Sequence, residues 1–135
     1  MGKLMLLMTL LLAGFSLHAQ GIKLISNSDN QQTLTRDQVR QIYMGAMSAD
    51  KLTPLALTPT HNARVVFNIR IIGLTESRIQ AYWAQMRFTG RSKPPLEFSS
   101  PEALVEHLMN TPGTIGYVPA DMSIPANLKV ILQVQ

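Results

Sequence analysis

Asn110-Thr-Pro-Gly-Thr-Ile-Gly-Tyr-Val-Pro119 is the stretch on which the reading of this chain turns. Pro112-Gly113 marks a turn, because proline fixes φ while glycine accepts φ > 0. Ile115 to Val118 then forms a short apolar strand, interrupted by Gly116. A glycine inside a strand removes a side chain where a backbone, a ligand or a tightly packed neighbour comes close. The run Pro101 to Met109 ahead of the turn is helix-like, so the unit reads as helix, turn, buried strand.

Outward from that unit, strands and helices alternate. Gly21 to Ser26 reads as a first strand with only loose alternation, Ile22 and Leu24 against Lys23 and Ile25. A helix starts at Thr35, with Gln38 three residues on completing a capping box, Leu34 as a staple before it and Gly45 as its left-handed stop. Val39, Ile42 and Tyr43 share one face. Pro54-Leu-Ala-Leu57 is a short buried strand. A helix from about Ala63 to Ile72 follows and ends at Gly73. Thr75 caps the next, Glu76 to about Arg87, which carries Ile79, Tyr82, Trp83 and Met86 at helical spacing, with Trp83 directed to the core. Residues 88–98 read as a basic, proline-containing connection. Ser100 caps the helix opened by Pro101 and Glu102. A last strand, Leu128 to Val134, is expected to point Leu128, Val130, Leu132 and Val134 inward and Lys129 and Gln133 outward. Strands separated by helices indicate an α/β domain with a mixed or mainly parallel sheet.

The first residues have the form of a secretory signal. Lys3 precedes an apolar run from Leu4 to Phe15, and Leu17-His18-Ala19 is a cleavage site of the expected kind. The run is shorter than the roughly 20 apolar residues of a membrane span. The expectation is therefore a signal peptide at 1–19 and one domain at 20–135, secreted to the periplasm with no stable membrane insertion after cleavage. The chain has no cysteine, so neither a lipid anchor nor a disulfide applies and packing alone must hold the fold. Its formal net charge of +4 is mild and dispersed, with no Lys/Arg-rich run, which argues against a nucleic-acid partner.

The side chains that carry catalysis are poorly represented. With His18 in the signal, His61 and His107 remain, without metal-ligand spacing or a His-Glu-x-x-His motif. No Gly-x-Ser-x-Gly elbow and no phosphate-cradling glycine loop occurs. Glu102 and Glu106 share a solvated helix face. A non-enzyme without cofactor or metal is expected.

Two places invite an anion. Thr58 to Asn62 leads into the helix near Ala63, so its first amides and the dipole's positive end are presented there. Thr60, His61 and Asn62 add donors, and Ala63 and Arg64 lie in the first turn. Simple N-capping by Thr60 or Asn62, with Arg64 in solvent, is the competing reading. The second place is the basic surface of Arg87, Arg91 and Lys93 around Gly90, which fits a phosphate or an acidic partner, or is merely a solvated loop.

Several blocks, in order, resemble the phosphate-binding family of type 2 periplasmic solute-binding proteins, which serve ABC importers. They are Leu34-Thr-Arg-Asp-Gln-Val-Arg-Gln-Ile-Tyr-Met-Gly45, Pro54-Leu-Ala-Leu57, Phe67, Tyr82-Trp83 with Phe88-Thr-Gly90, and Thr111-Pro-Gly-Thr-Ile-Gly-Tyr-Val118. The resemblance implies one three-layer-like lobe of such a protein, its mixed, mainly parallel sheet flanked by helices. It also implies binding of phosphate or a similar small anion for uptake or sensing, with an inner-membrane ABC permease or sensor as partner. The family's Gly-Ser-Gly-Thr phosphate loop falls here on Asn62-Ala63-Arg64-Val65, which lacks its hydroxyls. Thr60, His61, Asn62 and Arg64 stand in by position. An interaction or adaptor module that keeps the fold without the ligand is the alternative.

Overall fold

A computed structural model describes residues 21–29, 33–46, 52–90 and 92–135. The expected signal at 1–19 and Arg91 of the second basic surface lie outside the described residues. In chain order the elements are β1 (Ile22–Asn27), α1 (Arg36–Tyr43), β2 (Thr53–Leu57) and α2 (Asn62–Phe67). A π-helical segment (Asn68–Ile72) continues α2, followed by α3 (Glu76–Thr89), β3 (Leu96–Phe98), α4 (Pro101–Asn110), β4 (Thr114–Pro119) and β5 (Lys129–Val134).

The sheet runs β3-β2-β4-β1-β5. β2 pairs in parallel with β3 and β4, whereas β1 is antiparallel to both β4 and β5. It is thus mixed and mainly parallel, with β1 alone running against the other four strands. β5, antiparallel to β1 as β4 is, shares the direction of β2, β3 and β4.

β4 shows how the layers form. Ile115, Gly116, Tyr117 and Val118 are all buried, because helices cover both faces. A Cβ on Gly116 would lie 2.6 Å from Leu104 Cδ2 of α4. The next residue, Tyr117, points the other way and stacks on Phe67 of α2, with ring centroids 4.0 Å apart and planes 7° apart. One glycine therefore admits α4 on one face, and one tyrosine anchors α2 on the other. The same cover explains β1, where Leu24 and Ile25 on opposite faces are both buried.

The helix ends follow the local signals. Thr35 Oγ1 accepts from the Gln38 amide while Gln38 Oε1 accepts from the Thr35 amide, at 3.2 and 2.8 Å. Thr75 and Ser100 cap α3 and α4. Gly73 ends the π segment at φ 73°, and its amide donates to Asn68 O at 2.7 Å. Trp83 is buried, meeting Tyr82 edge-on.

Two strand expectations change. Residues 96–98 form β3, an edge strand that pairs Leu55 with Leu96 and Leu57 with Phe98. Leu96 and Glu97 are exposed, so no apolar alternation announced it. In β5 the buried residues are Ile131 and Val134, with Leu128 buried just ahead of the strand, while Val130 is 44% exposed. The register passes from Leu24↔Leu132 to Ile25↔Val130, leaving Ile131 as an extra residue that reverses the facing of the strand.

Candidate functional site

β2 and β4 are in register only at Thr53↔Thr114 and Pro54↔Ile115. Beyond that point two tyrosines serve the backbone groups that the sheet no longer pairs. Tyr43 Oη of α1 donates to Leu55 O at 2.8 Å, and Tyr117 Oη accepts from the Leu57 amide at 3.0 Å. Tyr43 also packs on Phe67, with centroids 4.6 Å apart. Burial pushes the Tyr117 hydroxyl up to about 12, against the opposing pull of the Arg64 charge. Burial, and next the neighbouring Tyr117, push Tyr43 well above its ordinary value.

Leu57 ends β2, and its carbonyl receives Arg64 Nη1 at 2.7 Å. Arg64 is buried, with its side chain 8% exposed. Its remaining contacts are to carboxylates: Nε to Glu76 Oε2 at 3.0 Å, Nη2 to Glu76 Oε1 at 2.8 Å, and Nη1 to Glu97 Oε2 at 3.3 Å. This is the forked geometry in which guanidinium and carboxylate fit best. Glu76 also accepts from Asn68 Nδ2 at 2.6 Å and Gln80 Nε2 at 2.8 Å. The π-helical segment sets Asn68 at that point, and α3 supplies Glu76 at its start and Gln80 one turn on. Burial disfavours the charge on Glu76, but hydrogen bonds from Gln80, Arg64 and Asn68, with the Arg64 charge, outweigh it and hold its carboxyl below the ordinary value.

The expected anion site lies at this same helix start, and its residues divide. Thr60 and Asn62 are exposed, with Thr60 Oγ1 3.3 Å from Thr58 Oγ1. His61 is the N-cap: its Nδ1 accepts from the Ala63 amide at 3.0 Å. The Arg64 amide donates to His61 O at 3.0 Å. Two first-turn amides are therefore occupied by the chain itself. The capping residue is His61, where the sequence offered Thr60 or Asn62. The Arg64 guanidinium is buried among its partners and out of solvent, where Leu57 O, Glu76 and Glu97 take its donors. A cavity of about 80 Å³ beside this cluster is lined by Arg64, Asn68, Gln80, Glu97, the aromatic rings and Arg87. Arg87 and Lys93 are exposed, and Phe88 beside Arg87 is 95% exposed.

The sequence missed Glu76, Asn68, Glu97, Tyr43 and Tyr117 as members of one cluster. Glu76 carried a sufficient local explanation as a residue favoured by the helix dipole. Its partnership with Arg64, twelve residues away, requires α3 to fold back over α2.

No family model matches the chain, and no curated protein matches it. Solved structures do. An ABC-type phosphate transport receptor from Vibrio cholerae superposes with a TM-score of 0.62 at 18% identity, over 83% of this chain and 45% of that one. A protein assigned as a phosphate ABC transporter substrate-binding protein from Clostridium perfringens, solved with bound phosphate, gives 0.64 at 16% identity over 83% and 44%. PstS from Borrelia burgdorferi gives 0.58 at 13% identity over 75% and 41%. The chain spans less than half the length of each. At these identities the likeness is one of fold: a five-stranded mixed sheet with flanking helices, shared with phosphate receptors, as the ordered sequence blocks implied.

Proposed function

We propose that this chain is a solute-binding-type module exported to the periplasm, working in phosphate uptake or sensing by contact with another protein rather than by holding an anion at α2. The observation that carries this reading is the inward Arg64, matched by Glu76 and Glu97. One cation faced by two carboxylates repels a further anion, and the Ala63 amide is already capped by His61. The setting comes from the neighbours, which are named as phosphate transport receptors and a binding protein, not as enzymes. An inner-membrane ABC permease or a sensor is the partner, and exposed Arg87, Phe88 and Lys93 form the contact surface. Arginine and aromatic side chains are the residues that interfaces favour. Isothermal titration with phosphate and sulfate should give no heat at millimolar ligand. Charge reversal at Arg87 and Lys93 should release the permease or sensor from a cross-linked complex.

One observation favours a second reading, anion binding by the lobe itself. Thr58 and Thr60 present adjacent hydroxyls at the start of α2, and a neighbour of the same fold is solved with phosphate. Saturable heat with phosphate, lost in a Thr60→Ala, Asn62→Ala variant, would establish that reading in place of the first.

A further inference from the structure

On the flank of the lobe formed by α1 and the π-helical segment, Arg36, Arg40 and Arg70 line one open groove of about 460 Å³ together with Asp37, Ile71, Ile72 and Gly73. All three arginines are exposed, and the ion pairs among the described residues involve only Arg64. Asp37, the one carboxylate among the described residues of the lining, accepts from Gln41 Nε2 at 2.9 Å. The local physics of α1 disfavours Arg36 twice, although Arg40 in the last turn suits the dipole. Arg36 is the first residue of the helix, where the dipole's positive end repels a cation. Arg36 and Arg40, four residues apart, repel each other across one turn. A helix that needed only to fold would carry an acidic residue at Arg36. Ile69, next to Arg70 on the π-helical segment, is 64% exposed.

We infer that this groove docks an acidic segment of a partner protein, its carboxylates meeting Arg36, Arg40 and Arg70. Guanidinium groups match carboxylates with two parallel hydrogen bonds, and the groove's net positive charge complements a Glu/Asp-rich strand or loop. The inference rests on the reading of the lobe as an interaction module, which the phosphate titration tests separately.

The test measures fluorescence anisotropy of a labelled decaglutamate peptide against the full chain at low salt, with decaglutamine as the uncharged control. Saturable binding of decaglutamate alone is expected. The combined Arg36→Gln, Arg40→Gln, Arg70→Gln variant should weaken it about tenfold, as three exposed guanidinium–carboxylate contacts of ordinary strength supply. The combined Lys23→Gln, Arg78→Gln, Lys129→Gln variant removes the same charge elsewhere and should leave it within about twofold. Equal weakening in both would reduce the effect to net charge and overturn the inference. So would absence of binding to the wild type, or binding that survives the groove variant. Groove-dependent sedimentation with phosphatidylglycerol vesicles in place of peptide binding would assign the surface to lipid and likewise overturn it. Urea unfolding monitors the fold of each variant, and single Arg70→Gln, outside α1, carries the comparison if the triple variant is unstable.

Discussion

The Arg64 guanidinium and the Glu76 carboxylate meet in a two-point contact, Nε to Oε2 at 3.0 Å and Nη2 to Oε1 at 2.8 Å, that pins α3 to α2. Removing one partner leaves the other's charge buried. Glu76→Ala should therefore destabilise the protein by about 2–4 kcal/mol. Glu97→Ala should cost at most about 1 kcal/mol, since its side chain is 39% exposed and makes one 3.3 Å contact. Urea unfolding of the two variants checks the ratio, and equal losses would contradict it.

The same contact sets a pH dependence. The Glu76 carboxyl titrates below its ordinary value of 4.5 in the native state. An unfolded chain binds the proton first as pH falls, so the stabilisation is whole above 4.5 and drains away as pH drops through the lowered native value. Stability measured by urea midpoints from neutral pH into this acid range should decline, and the Glu76→Gln variant should decline less steeply. An unchanged acid limb in that variant would remove Glu76 as its source.

Tyr117 shares the alkaline side with Tyr43, whose hydroxyl burial also raises. The native Tyr117 hydroxyl titrates at about 12 against an ordinary 10.0, so the folded state keeps a proton that the unfolded chain releases. Stability is retained below pH 10 and lost between there and about 12 as pH rises through the native value. Tyr117→Phe should flatten that loss while orphaning the buried Leu57 amide, at a cost of about 1–3 kcal/mol at neutral pH. Urea unfolding at neutral and alkaline pH separates the two effects.

Gly116 is needed for closeness, not for its φ. Its Cβ would sit 2.6 Å from Leu104 Cδ2 and 3.4 Å from Leu108 Cδ1, both fully buried side chains. Gly116→Ala should cost about 1–3 kcal/mol through overpacking of α4. Combined with Leu104→Val, it should cost less than the sum of the two single changes. Additive losses in thermal or urea unfolding would deny the contact.

How much of this was legible in the sequence follows from the range of each interaction. The Thr35–Gln38 box, the Thr75 and Ser100 caps and the Gly73 stop involve neighbours within a turn, and all were readable. Gly116 was recognised as a point of close approach, and its partner α4 precedes it directly. β3 was missed because an exposed three-residue edge strand has no apolar period to display. The facing of β5 was misread because the bulge at Ile131 exists only in relation to β1.

The candidate site lies at the other extreme. Arg64 was legible as a cation in the first turn of α2, and from sequence that meant either an anion's partner or a solvated charge. Its direction was fixed by Leu57 O, Glu76 and Glu97, which come from β2, α3 and the β3 edge and converge only when those elements are packed.

The chain's own order of caps, turns and apolar runs determined the class of fold, since those signals act over a few residues and owe nothing to distant partners. The reversed direction of β1, the occupation of the α2 start by His61 and the inward turn of Arg64 were decided by tertiary structure alone. The physical reason is that a charged side chain settles where its partners are, and folding brings those partners together from separate parts of the chain.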